Sequence, residues 1–108
     1  MNESDEEFVR RHWEGAEFVR FDHDCCEIEL GGELRGISAK TPKVAWSAAR
    51  AFTEERLERI RQVEEEIDLL TYLADRCTTH EKAKSIALRF RAREQAALAE
   101  LCKGMTAQ

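Results

Sequence analysis

Between Pro42 and Gly104 the chain contains neither glycine nor proline. A breaker-free stretch that long reads as helix, because sheets and loops of that extent need turn residues to reverse the chain. Thr41-Pro42 supplies a helix start, the threonine capping and the proline presetting the first helical φ. Apolar residues recur at Ala45, Ala49 and Phe52, then at Ile60, Val63, Ile67, Leu70 and Ala74. From Ile60 the steps alternate three and four, the seam of one helix pairing with another. The pattern predicts a helix from Pro42 to about Arg76, ~50 Å long at 1.5 Å per residue. "CTTHE" interrupts it. Thr78 with Glu81 forms a capping-box pattern, so Cys77 to Thr79 reads as the turn of a helical hairpin. The second helix then runs from His80 to about Lys103 and turns Ala83, Ala87, Phe90, Ala97 and Leu101 towards its partner. Gly104 stops it. Folded back, it reaches only to about Thr53, which leaves the turn carrying Trp46, Ala49 and Phe52 free to pack elsewhere.

What they cover is set by the first forty residues. Ser4 with Glu7 is another capping box, starting a short helix with Phe8, Val9, His12 and Trp13 along one side and Gly15 at its end. "AEFVRF" (Ala16 to Phe21), "CCEIEL" (Cys25 to Leu30) and "ELRGIS" (Glu33 to Ser38) read as three strands. Cys26, Ile28 and Leu30 alternate with Glu27 and Glu29, the mark of a sheet with one wet face. Gly31-Gly32 supplies the positive φ of a tight hairpin, and "FDHD" is the looser turn before it. The expected fold is α+β: a short helix, a three-stranded antiparallel meander, then a long antiparallel helical hairpin. It forms a single domain over 1–108, with the helix and meander in 1–40 and the hairpin in 41–108. Trp46 and Phe52 are expected between sheet and helix.

Charge narrows the function. The chain of 108 residues carries −5 overall, and residues 1–40 account for −6, with eleven acids against five bases. The remaining residues are close to neutral. An acidic face repels phosphate backbones and attracts basic surfaces, including those that normally hold nucleic acid. The candidate partner-binding residues are therefore Asp22, Asp24, Glu27, Glu29 and Glu33. No apolar run approaches the ~20 residues of a membrane span. The acidic start "MNESDEEFVRRHW" does not read as a signal peptide, which points to the cytoplasm. Four cysteines in that setting read as reduced thiols, and adjacent Cys25 and Cys26 point to opposite faces of a strand.

Candidate chemistries are weak beside their structural explanations. Cys77-x-x-His80 has metal-ligand spacing, and His23 with Cys25 offers a second pair, but the two pairs sit at opposite ends of the expected fold. Cys25 or Cys26 with His12 or His23 could form a nucleophile and base. Nothing resembles a nucleophile elbow, an oxyanion loop or a phosphate-cradling glycine loop. The expectation is no metal, no cofactor and no catalysis.

The order short helix, three strands, helix, with "KVAWSAA" (Lys43 to Ala49), resembles the double-stranded-RNA-binding domain. A three-stranded sheet followed by a helix also resembles AP2-like and integrase arm-type DNA-binding modules. Those families imply bases where phosphates lie; here Asp22, Asp24, Glu27, Glu29 and Glu33 stand there instead. Arg89, Arg91 and Arg93 form a basic group that fans around a helix rather than lining one face. "AWSAARAFTEERLERIRQVEEEI" (Ala45 to Ile67) and "REQAALAELCKGM" (Arg93 to Met105) resemble small bacteriophage and prophage accessory proteins. That group includes acidic inhibitors of host defence such as anti-CRISPR proteins. The resemblance implies a phage context; together with the absence of a catalytic constellation and the −6 of the sheet end, it leads to the expectation of a non-enzymatic protein that binds and modulates a host protein in the host cytoplasm. A nucleic-acid-binding regulator and a helical-hairpin adaptor are the alternatives. Finally, Leu57, Leu69, Leu73 and Leu98 are left over by a single hairpin seam, and pairing two hairpins into a four-helix homodimer would bury them.

Overall fold

The computed structural model describes residues 3–20, 22, 23, 25–31 and 33–106, residues 33–36 by backbone only. Its elements are α1 (Asp5–His12), β1 (Glu17–Arg20), β2 (Cys26–Leu30), β3 (Glu33–Ala39), α2 (Pro42–Arg76) and α3 (Glu81–Leu101). This is the α+β order that the sequence pattern predicts. The strands form an antiparallel sheet in the order β1-β2-β3. Phe21, Asp24 and Gly32 of the expected strands and turns lie outside the described residues.

The chain divides into two compact units, residues 1–55 with 103–108, and residues 56–102. The division falls inside α2, after Glu55. In the first unit, Ser4 caps α1 by accepting from the Glu7 backbone N–H at 3.1 Å. Asp5, Glu6 and Glu7 occupy the positive end of the α1 dipole, and Arg10, Arg11 and His12 the negative end. One side of α1 and its C-cap bury Val9, His12 and Trp13, and the core they join contains Ile28, Leu30, Ile37, Ala45, Trp46 and Ala49. Trp46 is thus buried in the core shared by sheet and helix, as expected, while Phe52 is half-buried with its ring 6.1 Å from that of Trp13. Small alanines at 45 and 49 let the α2 backbone approach the sheet.

Polar contacts of Thr53 and Arg50 pin α2 into this unit. The Trp13 indole N–H donates to Thr53 Oγ1 at 2.8 Å, and that hydroxyl donates to the Ala49 carbonyl at 2.7 Å. Arg50 donates to the Glu3 carbonyl, to Asp5 and to Glu54, and its guanidinium lies 4.6 Å from the centre of the Phe8 ring.

The segment after α3 returns to this same unit. Met105 forms a bridge with Trp13, the Glu14 N–H donates to the Gly104 carbonyl at 3.0 Å, and the Thr106 N–H donates to the His12 carbonyl at 2.9 Å. Gly104 (φ +81) lies against Gly31 (φ +63), so close that a Cβ on Gly31 would meet the Gly104 Cα at 2.9 Å. Gly31 is therefore more than a hairpin residue: it is one half of a backbone-to-backbone contact.

In the second unit α2 presents the predicted seam: Val63 and Ala74 are buried, and Ile60, Ile67 and Leu70 are half-buried. The α3 face differs from expectation. Ala87 is buried and Leu101 half-buried, but Ala83, Phe90 and Ala97 are exposed. The contacting stripe runs through Ala87, Arg91, Glu94, Leu98 and Leu101. Arg91 donates to Thr71 Oγ1 and the Glu94 carboxyl group stands beside that of Glu66, so long polar stems fill places where the pattern predicts apolar residues. Leu98 belongs to that stripe and Leu57 is also half-buried; of the four leftover leucines only Leu69 and Leu73 are exposed. The start of α3 differs too, because its N-cap is His80 without a side-chain cap bond, and Thr78 lies before it.

Candidate functional site

The outer face of the sheet follows from strand alternation. In β2, Cys26, Ile28 and Leu30 are buried, and Glu27 and Glu29 alternate with them. The Cys26 thiol donates to the Ala39 carbonyl at 3.1 Å, a bond that helps seat β2 beside β3. Cross-strand register extends both faces. Phe18 and Ile37 pair with Ile28 on the core side, whereas Val19 and Ser38 pair with Glu27. Glu17 pairs with Glu29.

Glu17, Glu27 and Glu29 therefore share one face. Among the described residues none of them takes part in an ion pair. Like charges directly opposite one another on adjacent strands are destabilising, so the Glu17–Glu29 pair costs the sheet stability. Of the residues expected to bind a partner, the structure brings Glu27 and Glu29 together on the outer face and leaves Asp22 exposed in the turn between β1 and β2. Glu33 sits opposite Leu30 in the ladder, beyond a bulge between Ile28 and Glu29, and not opposite either glutamate. Asp24 lies outside the described residues. Glu17 is the addition. Its place follows only from the β1–β2 register, which the length of the "FDHD" turn leaves open in the sequence.

No protein-family model matches the chain. Neither a curated protein nor a solved structure matches it either.

The other candidate chemistries are dispersed. Among the described residues no group of three or more histidine, cysteine or acidic side chains is placed to hold a metal ion. Cys77 is half-buried at the end of α2 and His80 is the exposed N-cap of α3; His23 and Cys25 belong to the other unit. His12 is built into the core, its ring 4.6 Å from that of Phe8. Burial pushes its pKa below the ordinary 6.5, the Arg11 charge pushes the same way, and Glu3 opposes both. Cys26 is buried in the sheet core and already donates its proton to a carbonyl. Among the described residues no helix is long and apolar enough to cross a membrane.

Proposed function

We propose that this chain is a non-enzymatic binding protein that docks the acidic outer face of its sheet on a basic surface of a host protein and modulates it. The observation carrying the reading is the trio Glu17, Glu27 and Glu29, held on one face by strand register with a like-charge pair that the described residues do not neutralise. A basic partner relieves that repulsion on binding. Its long-range field speeds encounter and sets orientation more than it adds affinity. Asp22, Asp24 and Glu33 extend the acidic field along the sequence. The phage-like text of residues 45–67 and 93–105 supports a partner in host defence, in the manner of an anti-CRISPR inhibitor acting in the host cytoplasm. A nucleic acid would present phosphates to these same carboxylates, which disfavours a nucleic-acid regulator.

The test is a pull-down from bacterial lysate, with and without nuclease, using the wild type and a Glu17→Lys/Glu27→Lys/Glu29→Lys variant of unchanged circular dichroism. The wild type is expected to retain a protein that the variant loses. Equal capture by both, or material that disappears with nuclease, would overturn the reading.

A further inference from the structure

The helical unit carries a second face that uses none of the sheet's acidic residues. On α2, Glu66, Leu69 and Leu73 are spaced i, i+3, i+7; on α3, Ile86, Phe90 and Glu94 are spaced i, i+4, i+8. Each triplet is therefore one stripe along its helix. The Glu66 carboxyl group stands close enough to that of Glu94 to raise its pKa, which places the two stripes side by side. The Thr71–Arg91 hydrogen bond marks the other side of the pair. On the shared face Leu69 is 57% exposed, Leu73 43%, Ile86 41% and Phe90 49%. That amounts to about 350 Å² of apolar side chain, the size of the patches that mark interaction sites and roughly half of what one partner gives to a standard interface.

We infer that a second copy of this chain covers this face, with a two-fold axis parallel to the helices and α2 of each copy laid over α3 of the other. The contacts within the hairpin set the heights: with Thr71 level with Arg91 and Glu66 near Glu94, Phe90 lies between Leu69 and Leu73 along the axis. Rotation about a parallel axis keeps those heights, so Phe90 of one copy enters the gap between Leu69 and Leu73 of the other, as a knob enters a hole. Charge agrees with the same axis. Arg93 sits at the rim with its guanidinium 5.7 Å from the Phe90 ring centre, and among the described residues no carboxylate pairs with it. Glu66 stands beside the like-charged Glu94, an acidic pair whose nearby cation is Arg59, and among the described residues no ion pair holds it. The rotation brings Arg93 of each copy to the height of Glu66 of the other, so each dimer holds two opposite-charge contacts flanking the apolar centre. The four-helix assembly expected from the leftover leucines is thereby built on Leu69, Leu73, Ile86 and Phe90, with Leu57 and Leu98 outside it.

Sedimentation equilibrium of the full chain over about 1–100 µM tests this, a range over which a weak dimer forms and dissociates. The wild type is expected to dimerise, and Phe90→Lys to weaken dimerisation about tenfold or more with its circular dichroism spectrum unchanged, because Phe90 is already half exposed in the single chain. Glu66→Lys sets lysine against Arg93 of the other copy, and Arg93→Glu sets glutamate against Glu66, so each variant alone is expected to dimerise more weakly than the wild type. Mixed in equal amounts they regain both opposite-charge contacts and dimerise. A wild-type monomer at the highest concentration, a dimer indifferent to Phe90→Lys, or a mixture of the two variants that associates no more strongly than either alone would each overturn the inference.

Discussion

Replacing Gly31 by alanine makes two demands on the fold, and Gly15 separates them. Both residues sit at positive φ, +63° for Gly31 and +67° for Gly15. A side chain there costs about 1–2 kcal/mol, of which about 0.4–1 is offset by the reduced freedom of the unfolded chain. A Cβ on Gly15 meets nothing within 4 Å, so Gly15→Ala is expected to lose only about 0.5–1 kcal/mol. A Cβ on Gly31 would lie 2.9 Å from the Gly104 Cα and 3.2 Å from its carbonyl oxygen. Both obstacles are backbone, which cannot rotate away as a side-chain tip can. Parting the two segments adds an overpacking cost of about 1–3 kcal/mol, giving about 2–4 kcal/mol in all for Gly31→Ala. At about 4 °C per kcal/mol for a chain of this size, the midpoint should fall by about 8–16 °C, against about 2–4 °C for Gly15→Ala. Tryptophan fluorescence isolates the event, because Trp13 and Trp46 are the chain's two tryptophans and both are buried in the unit that holds Gly31. Gly31→Ala/Gly104→Ala should lose less than the sum of its parts, since one contact is broken twice. A Gly31→Ala midpoint within two or so degrees of that of Gly15→Ala would refute the close approach as a source of stability.

Thr53→Val keeps the shape of the side chain but removes the acceptor of the Trp13 indole N–H; a loss of about 1–3 kcal/mol in urea unfolding is expected, with Thr53→Ser losing less. His12, whose pKa is lowered by burial, takes up its proton more readily in the unfolded chain. Its contribution is therefore complete above pH 6.5 and is lost as pH falls below that value, so His12→Gln should flatten that part of a stability–pH curve. Glu3, lowered chiefly by its hydrogen bond from Arg11, acts in a lower window: stability is lost as pH falls from 4.5, and Glu3→Gln should remove that loss. Glu94 runs the other way, because its hydrogen bond to Glu66 raises its pKa and the folded chain holds that proton more tightly. Its contribution is present below pH 4.5 and is lost as pH rises through the raised value; Glu94→Gln should thus match or exceed wild-type stability at neutral pH and lose that advantage in acid.

Most of the architecture was legible because it depends on local signals. Ser4 before Glu7, Thr41 before Pro42, and the alternation from Cys26 to Leu30 each specify an element within a few residues. The three-four spacing from Ile60 likewise marked the α2 seam. What escaped were relations between elements. On α3, Phe90 and Ala97 look like core residues by hydrophobicity, yet the stripe facing α2 passes through Arg91 and Glu94. No hydropathy pattern reveals a seam whose middle is polar. Glu17 was visible as an acid but not as the neighbour of Glu29, because the β1–β2 register depends on a turn of undetermined length. The bridge from Trp13 to Met105 left no local trace at all; Gly104 reads as a helix stop whether or not Gly31 lies against it.

That bridge has a consequence for how the chain reaches its native state. Residues 13 and 105 are roughly ninety positions apart, and closing so wide a loop from an open coil is slow even where its equilibrium cost is small. The hairpin offers a shorter route. Once α2 and α3 have paired, Arg56 Nη1 lies 3.3 Å from the Leu101 carbonyl, so the two strands of chain leaving the hairpin already emerge together. With α1 and the sheet already packed on the start of α2 through the Trp13–Thr53 bond, the remaining closure spans only the few residues from Lys103 to Met105, instead of the whole intervening chain. During synthesis the sheet and α1 leave the ribosome first, but their final seam must wait for the segment that follows α3. The turn at residues 77–80, far along the chain from that seam, would then govern how soon it closes.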